Sequence, residues 1–159
     1  MLRTIGGKRL QLLVLTLIMS AFLILTTSFA FGDGNGNGNA RNTIYSTSAW
    51  INAETGGSLS LSNTMGLTVP AGALSTNTVL TASFAYDKKT NIFLFDFGPS
   101  PMSFNISLQL FMSWSDLDKF GLSNDPTLYY DGIPVASSES DWGVTYYLDH
   151  FSIYYFERR

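Results

Sequence analysis

Residues 104–114 read FNISLQLFMSW, and apolar side chains alternate with polar ones along almost the whole stretch. One face of an extended chain would carry six apolar residues: Phe104, Ile106, Leu108, Leu110, Met112 and Trp114. The opposite face would be polar except at Phe111. A period of two over so many residues is typical of a β-strand with one buried face. The stretch therefore predicts a long strand in which the alternate residues from Phe104 to Leu110 are buried.

Three further stretches carry the same period of two. Their apolar faces would be formed by Leu80, Ala82, Phe84 and Tyr86, by Phe93, Phe95 and Phe97, and by Val144, Tyr146 and Leu148. Glycine-rich or polar turns separate the stretches, at residues 56–57, 63–66, 87–91, 99–101 and 131–132. Many short strands spaced by turns predict an all-β fold, an antiparallel β-sandwich over residues 45–159. One helical turn is expected near residues 115–120, with Ser115 as its N-cap and its end at Gly121.

The first thirty residues have the features of an export signal. Three basic residues, Arg3, Lys8 and Arg9, precede an apolar run over residues 10–25, and Ser28 and Ala30 are small residues at the −3 and −1 places. This order predicts a signal peptide over residues 1–30 that is removed, leaving a secreted or extracytoplasmic protein. The alternative is that the run is retained and anchors the protein in a membrane.

Residues 31–44 are predicted to form a flexible linker rich in glycine and asparagine, because residues 32–39 have almost no side chains to bury. Asp33, Asn35, Asn37 and Gly38 also match the opening of a calcium loop. Ile44 stands at the twelfth position of that loop, where calcium needs a carboxylate. The linker is therefore the favoured interpretation of residues 33–38, and no metal or other cofactor is predicted.

Charge and composition exclude several classes of function. Three of the nine basic residues and none of the twelve acidic ones lie in residues 1–30, which leaves a formal charge of −6 for residues 31–159. Nucleic acid is therefore not an expected partner, and a membrane is expected only if residues 1–30 are retained. A chain with no cysteine and one histidine cannot form a thiol nucleophile or a multi-histidine metal site.

Residues 54–59, ETGGSL, and residues 67–75, LTVPAGALS, resemble the ZU-five domain family. This family is a β-sandwich module named for zonula occludens and netrin-receptor proteins and also found in ankyrins. The resemblance runs from residue 48 to about residue 156 and ends on His150-Phe151-Ser152, although Ala71 replaces the family's second proline. It implies a non-catalytic interaction or packing module, here a prokaryotic secreted stand-alone copy. Its partner is expected to be a protein or a cell surface, and the motif does not identify which.

The residues that carry the resemblance are expected to be structural: Gly56, Gly57, Pro70, Gly72, Leu74, His150, Phe151 and Ser152. The paired glycines permit the positive φ of a tight turn. Pro70 lacks an amide hydrogen, so it should end its strand, and Gly72 can adopt the left-handed conformation that follows. Ala73 and Leu74 should then return to the core.

Self-cleavage is the first alternative function. Some members of the family cut themselves between the Phe and Ser of a similar motif, which would make Ser152 the nucleophile, Phe151 the source of the carbonyl and His150 the base. We expect instead an intact Phe151–Ser152 bond within a plain closing strand. Neighbouring residues on a strand point to opposite faces, so Asp149 is not expected to orient the His150 ring.

Glycan binding by exposed aromatic rings is the second alternative. The candidate rings are Tyr129, Tyr130, Trp142, Tyr146, Tyr147, Tyr154 and Tyr155. Paired tyrosines on a strand place one ring on each face, so about half of such rings are expected to face outward.

The export signal gives the first prediction. When the full-length chain is expressed in an exporting host, the mature protein should begin at Phe31, as intact mass and N-terminal sequencing would show. Ala30→Leu should block the cut, because the −1 place requires a small side chain. Retention of residues 1–30 in the wild-type protein would contradict the signal-peptide assignment and indicate a membrane anchor.

Overall fold

The computed structural model describes residues 41–157, and two antiparallel sheets account for most of them. The strands are β1 Arg41–Ile51, β2 Gly57–Ser60, β3 Met65–Val69, β4 Thr78–Asp87, β5 Ile92–Gly98, β6 Met102–Ser113, β7 Leu128–Tyr130, β8 Ile133–Pro134, β9 Ser137–Ser140, β10 Gly143–Phe151 and β11 Ile153–Phe156. One sheet has the order β1-β4-β5-β11-β7-β8, and the other has the order β2-β3-β6-β10-β9. The predicted all-β sandwich is confirmed.

The space between the sheets is filled by the residues that alternation assigned to it. Strand β5 buries Phe93, Phe95 and Phe97, and the facing positions of β4, β6 and β10 are also buried. The core residues of these three strands are Leu80, Ala82, Phe84, Leu108, Leu110, Met112, Val144, Tyr146, Leu148 and Phe151. The alternate residues of each strand form the inner face of its sheet. Because the two inner faces pack against each other, the core is continuous from β4 across to β10.

The sandwich begins earlier than the sequence predicted. Strand β1 starts at Arg41, within the predicted linker, and residues 41–43 pair with β4. Ile44 and Tyr45 pack against the core, which explains why the strand extends to this end. Residues 1–40 and 158–159 lie outside the described residues, and with them the predicted signal peptide, the rest of the linker and the calcium-loop match at residues 33–38.

Ile106 is not buried, contrary to the prediction: 48% of its surface is exposed. Strand β6 pairs with β10 at Leu108↔Leu148 and next at Ser103↔His150, so four residues of β6 stand against one residue of β10. Such a bulge breaks the alternation of side chains between the two faces. Phe104, within the bulge, is only partly buried and packs edge-to-face on Phe151, with ring centroids 4.8 Å apart.

The single helix of the described residues, α1, spans Trp114–Phe120 and therefore starts earlier than predicted. Its N-cap is Ser113 and not Ser115. The Ser113 hydroxyl accepts a hydrogen bond from the Asp116 amide at 3.1 Å and donates one to the Asp116 carboxylate at 3.2 Å. Thr64 donates a second bond to that carboxylate at 2.7 Å, which ties the helix to the turn before β3. The helix ends as predicted, at Gly121 in the left-handed conformation.

Within residues 41–157, no helix has the length and apolar character that crossing a membrane requires.

Strand β6 gives a direct test of the face assignment. Leu108 is fully buried and its neighbour Gln109 is exposed. Leu108→Ala should lower the free energy of unfolding by about 2–5 kcal/mol, because it leaves a cavity in the core. Gln109→Ala should lower it by less than about 0.5 kcal/mol, as is usual for surface substitutions. Urea denaturation measures both values, and equal losses at the two positions would contradict the assignment.

Candidate functional site

The stretch His150-Phe151-Ser152 forms a corner between the two sheets rather than part of one closing strand. Strand β10 ends at Phe151 in the five-stranded sheet, and β11 begins at Ile153 in the six-stranded sheet, so Ser152 alone connects them. Phe151 and Tyr154 are both buried. They are three residues apart, and a continuous strand would place them on opposite faces. The predicted single strand is therefore wrong, because the chain must change sheets to bury both rings.

The His150 ring is hydrogen-bonded to the side chain of its neighbour Asp149. This contact was not expected from the sequence, because adjacent residues of a regular strand point to opposite faces. His150 Nδ1 lies 2.5 Å from Asp149 Oδ1. The pairing of β10 with β6 is irregular between Leu148 and His150, so Asp149 and His150 do not take the opposite faces of a regular strand. The expectation that Asp149 could not orient this ring is thus wrong. Because an ionised carboxylate can only accept a hydrogen bond, Nδ1 is the donor in this contact.

The other ring nitrogen of His150 faces aromatic groups and no hydroxyl. Nε2 is buried and has no hydrogen-bond partner. The Tyr130 ring packs edge-on against the imidazole with centroids 4.3 Å apart, and the Tyr154 ring lies 5.7 Å away. Neither ring nitrogen therefore forms a hydrogen bond with Ser152. A general base must be within hydrogen-bond reach of the proton it removes, and in this arrangement His150 makes no hydrogen bond to the Ser152 hydroxyl.

Two hydroxyl groups bind the backbone carbonyls of the corner. Ser100 Oγ donates to the Phe151 carbonyl at 3.1 Å, and Tyr154 Oη donates to the His150 carbonyl at 2.7 Å. Strand β9 pairs with β10 only as far as Tyr146, so beyond that residue β10 has a strand on one side only. The two hydroxyls donate hydrogen bonds to carbonyl groups in this part of the strand. A buried carbonyl without a partner there would lower the free energy of unfolding. Sequence reasoning did not identify Ser100, which carried no signal beyond its place in the turn at residues 99–101.

Tyr154 remains a hydrogen-bond donor over a wide pH range. Burial raises the pKa of Tyr154 above its ordinary value, and Asp149 and Tyr130 add smaller contributions in the same direction. A tyrosine that resists ionisation keeps the O–H that its bond to the His150 carbonyl requires.

The glycine and proline motif residues form a second corner of the same structure. Gly56 adopts a positive φ of 72°, and a Cβ there would overlap the Val69 carbonyl oxygen. Strand β3 ends at Val69, immediately before Pro70, and Gly72 has a φ of 76°. These features confirm the predictions for Gly56, Pro70 and Gly72, whereas Gly57 has no positive φ and begins strand β2.

The two turns of this motif are joined by hydrogen bonds. The Gly72 amide donates to the Ala53 carbonyl at 2.7 Å, and the Asn105 amide donates to the Ala73 carbonyl at 3.2 Å. Ala73 and Leu74 are buried as predicted. Gly57 pairs with Val69 across β2 and β3. Because β6 begins at Met102, opposite Phe151, its first residues connect this motif to the Phe151–Ser152 corner.

The candidate glycan-binding tyrosines do not form an exposed row. Tyr146 and Tyr154 are buried, Tyr129 stacks on Tyr155, and Tyr130 packs on His150. Of the seven candidates, Tyr147 and Trp142 count as exposed, and the fraction reaches 80% at Trp142. Trp50, which the sequence did not single out, is 60% exposed on β1. No group of three or more potential metal ligands occurs within residues 41–157.

A scan against protein-family models, a search of curated proteins and a search of solved structures found no match to this chain.

The corner yields a stability prediction. Tyr154→Phe should lower the free energy of unfolding by about 1–3 kcal/mol, because it leaves the His150 carbonyl without its donor. Tyr147→Phe is the matched control: its hydroxyl bonds Ser138 in an exposed position, and its loss should cost less than about 0.5 kcal/mol. Both values come from chemical denaturation, and an equal cost for the two variants would contradict the structural role of Tyr154.

Proposed function

We propose that this chain is an exported, non-catalytic β-sandwich module of the ZU-five type. It binds a protein or cell-surface partner, or packs within the cell envelope, outside the cytoplasm. The signal-like residues 1–30 support export, and the excess of acidic residues beyond them argues against nucleic acid as a partner.

The observation that carries this proposal is the way the motif's side chains are engaged. The His150 ring is bonded to Asp149 on one side and packed on Tyr130 on the other, and Phe151 is buried. Gly56 and Gly72 serve turns that their backbone conformations require. Each of these residues contributes a contact to the sandwich, and none of them presents an activated nucleophile or an open ligand position.

Self-cleavage is the second candidate, and two contacts favour it. The Ser100 hydroxyl would polarise the Phe151 carbonyl, and the Asp149 carboxylate would stabilise a charged His150 ring. In this reaction Ser152 Oγ bonds to the Phe151 carbonyl carbon while the Phe151–Ser152 C–N bond breaks. The amine of Ser152 takes up the proton that the hydroxyl loses, and water then hydrolyses the ester. Against it stands Nε2 of His150, which contacts no hydroxyl.

Denaturing mass spectrometry of the purified chain distinguishes the two functions. We expect one species that retains residues up to Arg159, and the same result for Ser152→Ala and Ser100→Ala apart from the substituted mass. Denaturing conditions are needed because a cut C-terminal peptide would stay paired in the native sheet. A species ending at Phe151 that disappears in Ser152→Ala would establish self-cleavage and overturn the non-catalytic proposal.

His150→Ala supplies the complementary measurement. Loss of the ring removes its packing on Tyr130 and should lower the free energy of unfolding by about 1 kcal/mol, the usual scale of an aromatic pair. The mass should not change beyond the substitution itself. A change in the extent of cleavage without a change in stability would identify His150 as a catalytic group instead.

A further inference from the structure

Residues 104–107 of strand β6 have no cross-strand partner among the described residues. The pairing of β6 with β10 stops at Leu108 and resumes only at Ser103, and its pairing with β3 stops at Gln109. The bulge therefore leaves a short stretch of β6 without a neighbouring strand on either side. In this respect the stretch resembles a surface loop, although it lies within a strand.

This open stretch contains a recognisable modification motif. Asn105-Ile106-Ser107 has the form Asn-x-Ser/Thr, in which x is any residue except proline. No other asparagine of the chain has serine or threonine at the second position after it. In proteins that leave the cytoplasm, the asparagine of this motif is the acceptor of N-linked oligosaccharides.

The side chain of Asn105 is accessible and is not engaged by the fold. Asn105 is exposed, 48% of the surface of Ile106 is exposed, and Ser107 is partly exposed. The backbone amide of Asn105 donates to the Ala73 carbonyl at 3.2 Å. Its carboxamide makes no hydrogen bond to another residue within 41–157. A transferase would therefore displace no contact of the sandwich in reaching this group.

Other asparagines of the sandwich have structural roles that Asn105 lacks. Asn52 Oδ1 accepts a hydrogen bond from the Glu54 amide at 2.8 Å, and Asn77 Oδ1 accepts one from the Ala53 amide at 2.9 Å. Both stabilise turns, which is the usual position of asparagine. Asparagine is depleted in strands, so the place of Asn105 within β6 is not explained by the fold.

We propose that Asn105 is a site of N-linked glycosylation. The proposal rests on the proposed export of the chain, which would bring Asn105 to the compartment where the sugar is transferred. The co-reactant is an oligosaccharide carried on a lipid phosphate or pyrophosphate. Asn105 Nδ2 forms a bond to C1 of the first sugar while the C1–O bond to the lipid carrier breaks. The lipid phosphate leaves as an anion, and the proton that Nδ2 loses is released to water.

A glycan on Asn105 gives the open stretch of β6 a cover. A bulky hydrophilic group at this place stands beside the exposed Ile106 and over residues 104–107. It would prevent another extended chain from pairing with these residues, which is the hazard of strand segments without partners. A protein partner would then bind to a different part of the sandwich.

The inference is tested with the full chain in an exporting host whose oligosaccharyltransferase is active on Asn-x-Ser/Thr. The mass of the secreted protein should exceed that of its polypeptide by whole monosaccharide units. Peptide N-glycosidase should remove the excess and leave an aspartate at position 105, because this enzyme hydrolyses the bond between asparagine and sugar. Peptide mapping by mass spectrometry locates the change.

Substitutions within the motif separate its two functional groups. Asn105→Gln and Ser107→Ala should each abolish the added mass, whereas Ser107→Thr should retain it, because threonine also has the hydroxyl that the motif requires. Asn63→Gln is the matched control. Asn63 is exposed and is followed directly by a threonine, but it has Met65 at the second position, so the added mass should not change.

The outcomes distinguish this inference from the proposed function. A secreted wild-type chain with the mass of its polypeptide alone would overturn the inference and leave the proposed export standing. Added mass that persists in Asn105→Gln or Ser107→Ala would also overturn it, because the acceptor would then be another residue. A chain that stays in the cytoplasm would overturn both the inference and the proposed export.

Discussion

The rings of Phe93, Phe95 and Phe97 lie side by side along β5, and much of the sandwich is arranged around them. Phe84 of β4 packs on Phe93 and Phe95 with centroids 5.5 and 4.7 Å apart. Phe120 of α1 contacts Phe93, Phe156 of β11 contacts Phe95, and Phe151 of β10 stacks on Phe97. Most of these contacts join strands of the six-stranded sheet to one another or to α1, and the Phe97–Phe151 stack joins that sheet to the five-stranded one. Each ring buries a large apolar area, and each pair adds a geometric preference that fixes the neighbouring strand.

The residues that follow a local rule were predictable from the sequence. The alternation of Leu108 and Leu110, the strand end before Pro70 and the helix end at Gly121 depend on side-chain period or backbone freedom, which a short stretch of sequence encodes. The exposure of Ile106 and the change of sheet at Ser152 depend instead on how the strand pairs with its neighbours. The partner strands belong to segments that are distant in the sequence, so a local pattern does not encode this pairing. A weak signal was present. The apolar residues Leu148, Phe151 and Tyr154 are spaced by three, and such spacing does not fit one regular strand.

The candidate site shows the same division. His150, Phe151 and Ser152 were identified from the sequence, and the structure gathers them at one corner. The partners that define their chemistry could not be read in the same way, because Ser100 lies 51 residues from Phe151. The ring of Tyr130 reaches His150 only through the pairing of β7 with β11. Asp149 was judged by a rule for regular strands, and a bulge in the pairing of β10 with β6 made that rule inapplicable.

Strand β11 is held in its sheet by neighbours on both sides as well as by the Phe151–Ser152 bond. It lies between β5 and β7, with Tyr154 opposite Phe95 and Tyr155 opposite Tyr129, so it is held by backbone pairing on both sides. The same hydroxyl of Ser100 that satisfies the Phe151 carbonyl would also withdraw electron density from it. Structure and reactivity therefore share this contact, and the contact alone favours neither. Attack by the Ser152 hydroxyl also requires a group that accepts its proton, which would be Nε2 of His150 or the departing amine of Ser152. In this structure Nε2 has no hydrogen-bond partner and the Tyr130 ring packs against the imidazole, while Ser152 connects the last strands of the two sheets.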